Sequence, residues 1–557
     1  MGWDWKKEMG PPAVLFVLSA LLFGFQLGKT GLLDPDEPFY ALTAREMLQR
    51  GDVTTPVLFG KPQFEKPILF YGVLYASFRW LGVSEFSARL GPCVAGVLTV
   101  LLTYGWALAL FRRRQTAFLS ALVMATSGQF IVMSRLVLTD IFLCLFVTAA
   151  FFCFSLGMQN EKKRLFFWNM AFVFCGLGFL TKGPLGLFIP LSGLVATLVL
   201  GPDRPLLKQI PWVSGGLLFS AVALPWYALM TQHYGPVFLR HFFLHENVRR
   251  FFVAEHRSCD TLLFYPMTLV TGFFPWSVFM AAGLGYAARM ACRAKKAFLF
   301  LFLSFLVPFV FFVMAKSKLI SYCFPLYPVL AVMTGAWLTR FWRAVCLKAR
   351  PKRVLNVTTA VFWGVAPPLI MAVLTVYSRQ TGLDLSLPLA LMALTFVSGS
   401  WAALFLFWTR RYRVALSAMT LSVVVLTGIS FAWLLPASGK AFSSKDWAAA
   451  HSEFVKRHPS SLMLASKLFV RGISFYANDP RVGVFSDKSS GGFYTPHPIR
   501  VISDAEQLAA IAPDQFPVYF LIRDKELKRL NNLIGSEYRL TLMETSPSRL
   551  WVRLERV

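Results

Sequence analysis

Residues 32–67 read LLDPDEPFYALTAREMLQRGDVTTPVLFGKPQFEKP. The stretch is polar, and it interrupts a chain that is otherwise mostly apolar. One apolar run ends near Gly28 and the next begins near Ala88. The chain has 557 residues, 56% of them hydrophobic, and only 28 acids. Seven of those acids (Asp34, Asp36, Glu37, Glu46, Asp52, Glu65 and Glu85) fall between positions 29 and 87. A segment that only joined two membrane spans would not need them.

The composition on either side sets the class. A mean hydropathy of +0.56, with 16% aromatic residues, indicates an integral membrane protein. About thirteen apolar runs are long enough to cross a bilayer, centred near residues 20, 100, 125, 147, 173, 192, 221, 275, 306, 330, 366, 397 and 424. A crossing helix takes roughly 20 apolar residues. A β-barrel would instead show short alternating segments, and none is present. The expected fold is therefore an α-helical polytopic membrane protein with about thirteen transmembrane helices. The first run follows Lys6 and Lys7 with no small-residue cleavage site after it, so it reads as a retained span.

The net charge of +28 invites a nucleic-acid reading, but the position of the charges argues against it. Basic clusters recur after every second span: Lys6/Lys7, 112–114, 162–164, Arg204/Lys208, 289–296, 340–353 and 410–413. This is the positive-inside pattern, whereas a nucleic-acid site would gather its cations on one soluble face. The pattern predicts a cytoplasmic N-terminus and, after an odd number of spans, an external C-terminal tail. Most of the eight cysteines lie in apolar runs and read as buried thiols.

Residues 1–435 read as the membrane part, with long external loops at about 29–87 and 232–262. Residues 436–557 have a globular charge mix and carry 12 of the 28 acids. Within this tail, SLMLASKLF, VGVFS, PVYFLIRD and RLWVRLERV read as strands, and 444–458 and 504–511 as helices. This predicts a small α/β domain outside the membrane. In the first loop, 38–50 and 67–81 read as amphipathic helices. There is no phosphate-binding glycine loop or dinucleotide fingerprint, which argues against a nucleotide-sugar donor.

Several residues stand out chemically. Asp140 is the only carboxylate inside an apolar run, and an intramembrane acid is by default a functional hypothesis. A plainer reading makes it a helix N-cap or a partner of Arg135. Asp36 and Glu37 could likewise be an ordinary helix start. Lys182, Lys316, Lys318, Arg249 and Arg250 sit at outer turns near the apolar boundary. Singly, each is explained by snorkelling. Together they could receive a lipid phosphate. Glu65 and His245, from different loops, are the candidate pair for a divalent metal, although no dense ligand spacing supports one.

The pattern DE-x-x-Y-x-x-x-x-REML-x-x-GD followed by FEKP resembles the first extracytoplasmic loop of GT-C glycosyltransferases that use polyprenyl-phosphate sugars. Among these it is most similar to the lipid A aminoarabinose transferases, within the superfamily that includes the protein mannosyltransferases. LTKG, HEN-x-x-RF and KL-x-x-Y-x-x-P extend the resemblance. It implies that Asp36 is the catalytic carboxylate and that Glu65 and Lys66 lie beside the same cavity. It also implies that Lys182, Arg250, Lys318 and Tyr322 hold the donor phosphate. The function so implied is transfer of a sugar from a polyprenyl-phosphate donor to a lipid or glycolipid acceptor, lipid A among them, at the outer face of a bacterial inner membrane. Asp140 is a second catalytic candidate, and Glu37 and Arg249 are added to the substrate-binding set. A protein O-glycosyltransferase differs only in acceptor. A transporter is a more distant rival, since transporters place charged sites near the midplane and often show repeated halves.

Overall fold

In a computed structural model, the structure describes residues 5–249, 252–253, 260–346, 364–365, 368–376, 378–379, 383–409, 411–479, 481–487 and 499–557. The chain is a bundle of apolar helices followed by a sheet region. Among the described residues, seven helices are long and apolar enough to cross a membrane, or eight if one bent pair is counted as a span. The thirteen runs do not each become one straight helix, and local breaks explain why. The run near 125 divides into Arg114–Ala125 and Gly128–Met133. The run near 275 divides into Phe264–Gly272 and Ser277–Cys292, which meet at 118°. Gly10–Gly24 and Leu185–Leu200 are apolar but shorter than a full crossing. The run near 366 lies mostly outside the described residues.

The first helices position the site. They are α1 (Trp5–Gly24), α2 (Asp36–Arg50), α3 (Ile68–Leu81), α4 (Glu85–Phe111), α5 (Arg114–Ala125), α6 (Gly128–Met133), α7 (Asp140–Gln159), α8 (Arg164–Lys182), α9 (Leu185–Leu200) and α10 (Trp212–Leu239). The two loop helices expected from the sequence are α2 and α3. Gly51 ends α2 with φ 68° and returns its N–H to Leu48 and Met47, a left-handed cap that glycine adopts without strain.

What holds α2 in place is a buried ion pair. Glu37 and Arg89 of α4 meet at 2.6 Å with both side chains almost fully enclosed. One Glu37 oxygen accepts from Arg89 Nε and the Val137 N–H, each at 2.9 Å. The other accepts from Arg89 and, at 2.8 Å, from the Leu33 N–H. The remaining Arg89 donors reach the carbonyls of Leu27, Thr30 and Gly31. A single pair thus ties together the end of α1, the start of α2, α4 and the approach to α7.

The tail forms a six-stranded sheet in the order β5-β4-β3-β6-β8-β7. Its strands are β3 (Met463–Ser466), β4 (Val482–Phe485), β5 (Val501–Ile502), β6 (Val518–Ile522), β7 (Tyr538–Ser546) and β8 (Arg549–Arg556). A small hairpin in the first loop supplies β1 (Val57–Leu58) and β2 (Lys61–Pro62). β3 is parallel to β4 and β6, and β8 is antiparallel to β6 and β7. The continuous apolar runs MLAS, VGVF and VYFLI are buried along their whole length, as strands covered on both faces require. The four strands read from the sequence are present. The helices Val470–Ala477 and Asp524–Leu533 and the strands β5 and β7 are additions.

The tail is joined to the first loop by a second buried pair. Arg549 of β8 meets Asp34 at 2.9 Å, and the Ser444 hydroxyl donates to the same carboxylate at 2.5 Å. Beside it the Asp34 N–H donates to the Phe442 carbonyl. Burial pushes the Asp34 carboxyl up to about 6, against the opposing pull of Arg549. Removing one member of a buried pair strands the other charge and costs about 3–5 kcal/mol. Arg549→Leu is therefore expected to lower the unfolding temperature of the detergent-solubilised protein. Adding Asp34→Asn should recover part of the loss, and an unchanged melt in the single variant would remove this pair from the account.

Candidate active site

The fate of the seven loop acids isolates the site. Asp34 and Glu37 are held in the two buried pairs. Glu46 accepts from the N–H groups of Phe59 and Gly60, both at 2.9 Å. Asp52 accepts from the Thr54 and Thr55 N–H groups and the Thr54 hydroxyl. Glu85 takes Lys445 at 2.7 Å and the Tyr476 hydroxyl at 3.2 Å. Five of the seven thus answer protein donors, and Asp36 and Glu65 remain.

Asp36 opens α2 as its first residue. Pro35 occupies the cap position and there is no side-chain cap, so the N-cap reading of Asp36 does not hold. Its neighbours explain its orientation: Asp34 is drawn to the tail and Glu37 to α4, which leaves Asp36 directed elsewhere. The residue is solvent-exposed. Surrounding protein nevertheless raises its carboxyl above the ordinary aspartate range. Desolvation is the largest cause, and Arg471 opposes it. Asp140 and Glu65 add to the rise, while Lys66 opposes it. The exposed Asp36 carboxylate and the charged groups that act on it, Arg471, Asp140, Glu65 and Lys66, make up the Asp36 recess.

Glu65 and Lys66 reach the recess on the FEKP turn. Phe64 anchors this turn by packing against Tyr234 and Phe238, with ring centroids 5.2 and 5.4 Å apart. Trp226 of α10 reinforces the contact by donating to the Thr54 carbonyl at 2.8 Å. The Lys66 ammonium donates to the Glu65 carbonyl at 3.0 Å.

Asp140 lies in the first turn of α7, after Thr139 at the cap position. Its partner is Lys182, the last residue of α8, at 2.6 Å. Arg135, the alternative partner, donates instead to the carbonyls of Leu22, Phe23 and Phe25 and lies 3.5 Å from the centroid of the Phe431 ring. Lys182 also lies 5.1 Å from the centroid of the Tyr322 ring, which brings in the turn that carries Lys318. The Lys318 side chain is buried and pairs with Asp260 at 2.8 Å, and the exposed Lys316 approaches the same acid at 3.6 Å.

The structure therefore brings Glu65, Lys66 and Asp140 within electrostatic reach of Asp36, and joins Lys182 and Tyr322 to them through Asp140. Glu37 is corrected from a substrate-binding to a structural residue, because protein donors occupy both of its oxygens. Arg249 is exposed at the end of the π-helical segment Arg240–Arg249. Arg250 and the His245 side chain lie outside the described residues. The Glu65–His245 metal reading therefore has one described member. Among the described residues no three His, Cys, Asp or Glu side chains gather as a ligand set. Three contributors went unread in the sequence: Arg89, Asp260 and Arg471. Arg89 and Asp260 sit in ordinary helix and loop contexts, and Arg471 follows an apolar run that reads as strand.

Comparison with known proteins places this geometry. The family model for dolichyl-phosphate-mannose-protein mannosyltransferases matches residues 14–242. An undecaprenyl phosphate-alpha-4-amino-4-deoxy-L-arabinose arabinosyl transferase of Pectobacterium carotovorum is 32% identical over 339 residues, covering 60% of each chain. The crystal structure of ArnT from Cupriavidus metallidurans in the apo state superposes with a TM-score of 0.78 at 21% identity, covering 97% of both chains. In sequence the chain is similar to the aminoarabinose transferases, and in fold to ArnT. The same ArnT bound to undecaprenyl phosphate gives a TM-score of 0.75 at 19% identity. The chain spans about three fifths of the length of the curated relatives it matches. The GT-C fold leaves function to be argued from the site.

The Asp140–Lys182 pair is testable by itself. Lys182→Met leaves a buried carboxylate without its partner and should lower the unfolding temperature. Asp140→Asn in the same chain should restore most of it. Additive losses in the double variant would mean the two side chains do not interact.

Proposed function

We propose that the chain is a membrane glycosyltransferase that moves a sugar from a polyprenyl-phosphate donor to an acceptor at the periplasmic face, with lipid A or another envelope glycolipid as that acceptor. One observation carries the reading: Asp36 is the loop carboxylate left open to solvent, in a recess with cations on its rim. The relatives, named for undecaprenyl-phosphate aminoarabinose transfer, support an undecaprenyl-phosphate donor.

In the transfer, the bond from the anomeric carbon to the donor phosphate breaks and an acceptor oxygen bonds to that carbon. Charge develops on the departing phosphate. Lys66, Lys182 and Lys318 are the lysines we assign to it, together with Tyr322 and with Arg249 and Arg250 from the second loop. Lys182 and Lys318 rest on Asp140 and Asp260, so an arriving phosphate exchanges one anionic partner for another. With a hydroxyl acceptor, Asp36 takes the proton. With a phosphate acceptor there is no proton to remove, and Asp36 orients the acceptor or stabilises positive charge on the sugar. Asp140 keeps Lys182 in place. Glu65 with His245 is the pair at which a divalent metal would be held, where it would supply positive charge beside the site.

A protein acceptor is the second reading, favoured by the match to the protein mannosyltransferase model over residues 14–242. Assays with purified lipid A and with periplasmic protein as competing acceptors separate the two. The proposed topology puts the N-terminus in the cytoplasm and the second loop and tail in the periplasm. Reporter fusions at residues 113 and 557 should report opposite sides of the membrane.

Asp36→Asn keeps size and shape, so the protein should insert and purify normally while transfer falls by ~10²–10⁴-fold, the usual worth of a positioned base. Because the Asp36 carboxyl is raised, the acid limb of transfer should lie above the range of a free aspartate. Near-normal turnover of Asp36→Asn would move the working carboxylate to Asp140.

A further inference from the structure

The tail supplies more than a cover. We infer that Arg471, carried to the recess by the tail helix Val470–Ala477 and stacked on Phe39 of α2, is a positioning residue for Asp36. The inference rests on the reading of Asp36 as the working carboxylate.

The geometry begins at Phe39, three residues after Asp36 and so on the same face of α2. The Arg471 guanidinium lies 4.6 Å from the centroid of the Phe39 ring. A planar guanidinium stacked on an aromatic face directs its edge donors sideways in a fixed plane, which an ammonium on a flexible stem does not do. Of the charges acting on Asp36, Arg471 is the strongest. The others come from separate elements: Asp140 on α7, and Glu65 and Lys66 on the FEKP turn. Two acids favour protonation of Asp36 and two cations oppose it. Arg471 is the member of this set that belongs to the tail.

The helix that carries Arg471 is held firmly against the first loop. Arg45 donates to the carbonyls of Phe475 at 2.5 Å and Ser474 at 3.1 Å. The Leu32 N–H donates to the Tyr476 hydroxyl at 2.7 Å, and that hydroxyl reaches Glu85. Gly472, next to Arg471, permits the close approach. A Cβ there would lie 2.2 Å from an Asp34 oxygen and 2.8 Å from Ser444 Cβ. Loop, tail helix and the Asp34–Arg549 pair thus fix Arg471 from three directions.

The test has two independent readouts. The first is the pH profile of transfer, with KM and kcat separated. The second needs no substrate: carbodiimide labelling of Asp36, which reacts as the protonated carboxyl, followed by mass spectrometry across pH. With Arg471→Gln, Asp36 loses a favourable charge. Labelling should persist to higher pH, the acid limb of transfer should move up with it, and kcat at neutral pH should fall about ten- to a hundredfold, the worth of a contact to a charged group. Arg471→Lys should restore the labelling midpoint in part. Gly472→Ala, which displaces the helix without altering charge, should move both readouts in the same direction. Arg457→Gln, at an exposed tail position, should move neither. Folded Arg471→Gln protein with the wild-type labelling curve overturns the inference. Wild-type protein that transfers no sugar from polyprenyl-phosphate donors would count against the proposed function instead, and the labelling curves would still decide the role of Arg471.

Discussion

The site depends on the Glu37–Arg89 pair. It is buried, and it satisfies every donor and acceptor it brings: Glu37 takes two backbone N–H groups besides the guanidinium, and Arg89 takes three carbonyls. A buried charge pair repays its desolvation only under such conditions. Its consequence is directional. With Glu37 turned into the bundle and Asp34 turned to the tail, the backbone between them presents Asp36 to the recess.

The same logic governs the rest of the rim. Two lysines near the site have an acid to rest on when no phosphate is present: Lys182 on Asp140 and Lys318 on Asp260. This spares the apolar boundary an unpaired ammonium, and it leaves both lysines able to accept a different anion at modest cost, since one charge-assisted contact replaces another. The site also draws on residues from both ends of the sequence. The membrane part brings the acids and lysines, and the tail brings Arg549 to hold the loop and Arg471 to face Asp36.

Much of this was legible in the chain and some was not. The DPDE element, the FEKP turn, Asp140 and the outer lysines all carry charge where apolar context makes charge costly, so each stood out. The partition of roles among the acids did not. Asp34, Asp36 and Glu37 are near-identical as letters, and only long-range partners distinguish them: Arg549 more than five hundred positions away, and Arg89 on the next span. Asp260 and Arg471 were missed for the same reason, because a polar residue in a polar loop, or beside an apolar run, carries no local signal. The helix Val470–Ala477 was hidden because its apolar start continues a strand-like run. Asp524–Leu533 was hidden because it is largely polar and packs only Leu530 fully. Apolar runs do not become single straight helices where a helix breaks, at Thr126–Ser127 and between Gly272 and Ser277, since hydropathy measures apolar length and not straightness.

The central claim is that the Asp36 recess is where a polyprenyl phosphate presents its sugar. A cryo-electron microscopy map of the full chain with undecaprenyl phosphate added addresses it directly. The account predicts phosphate density beside Asp36, within hydrogen-bonding distance of Lys66 or of Lys182 released from Asp140. Phosphate density at a site sharing none of these residues, with the Asp36 recess unchanged, would contradict it.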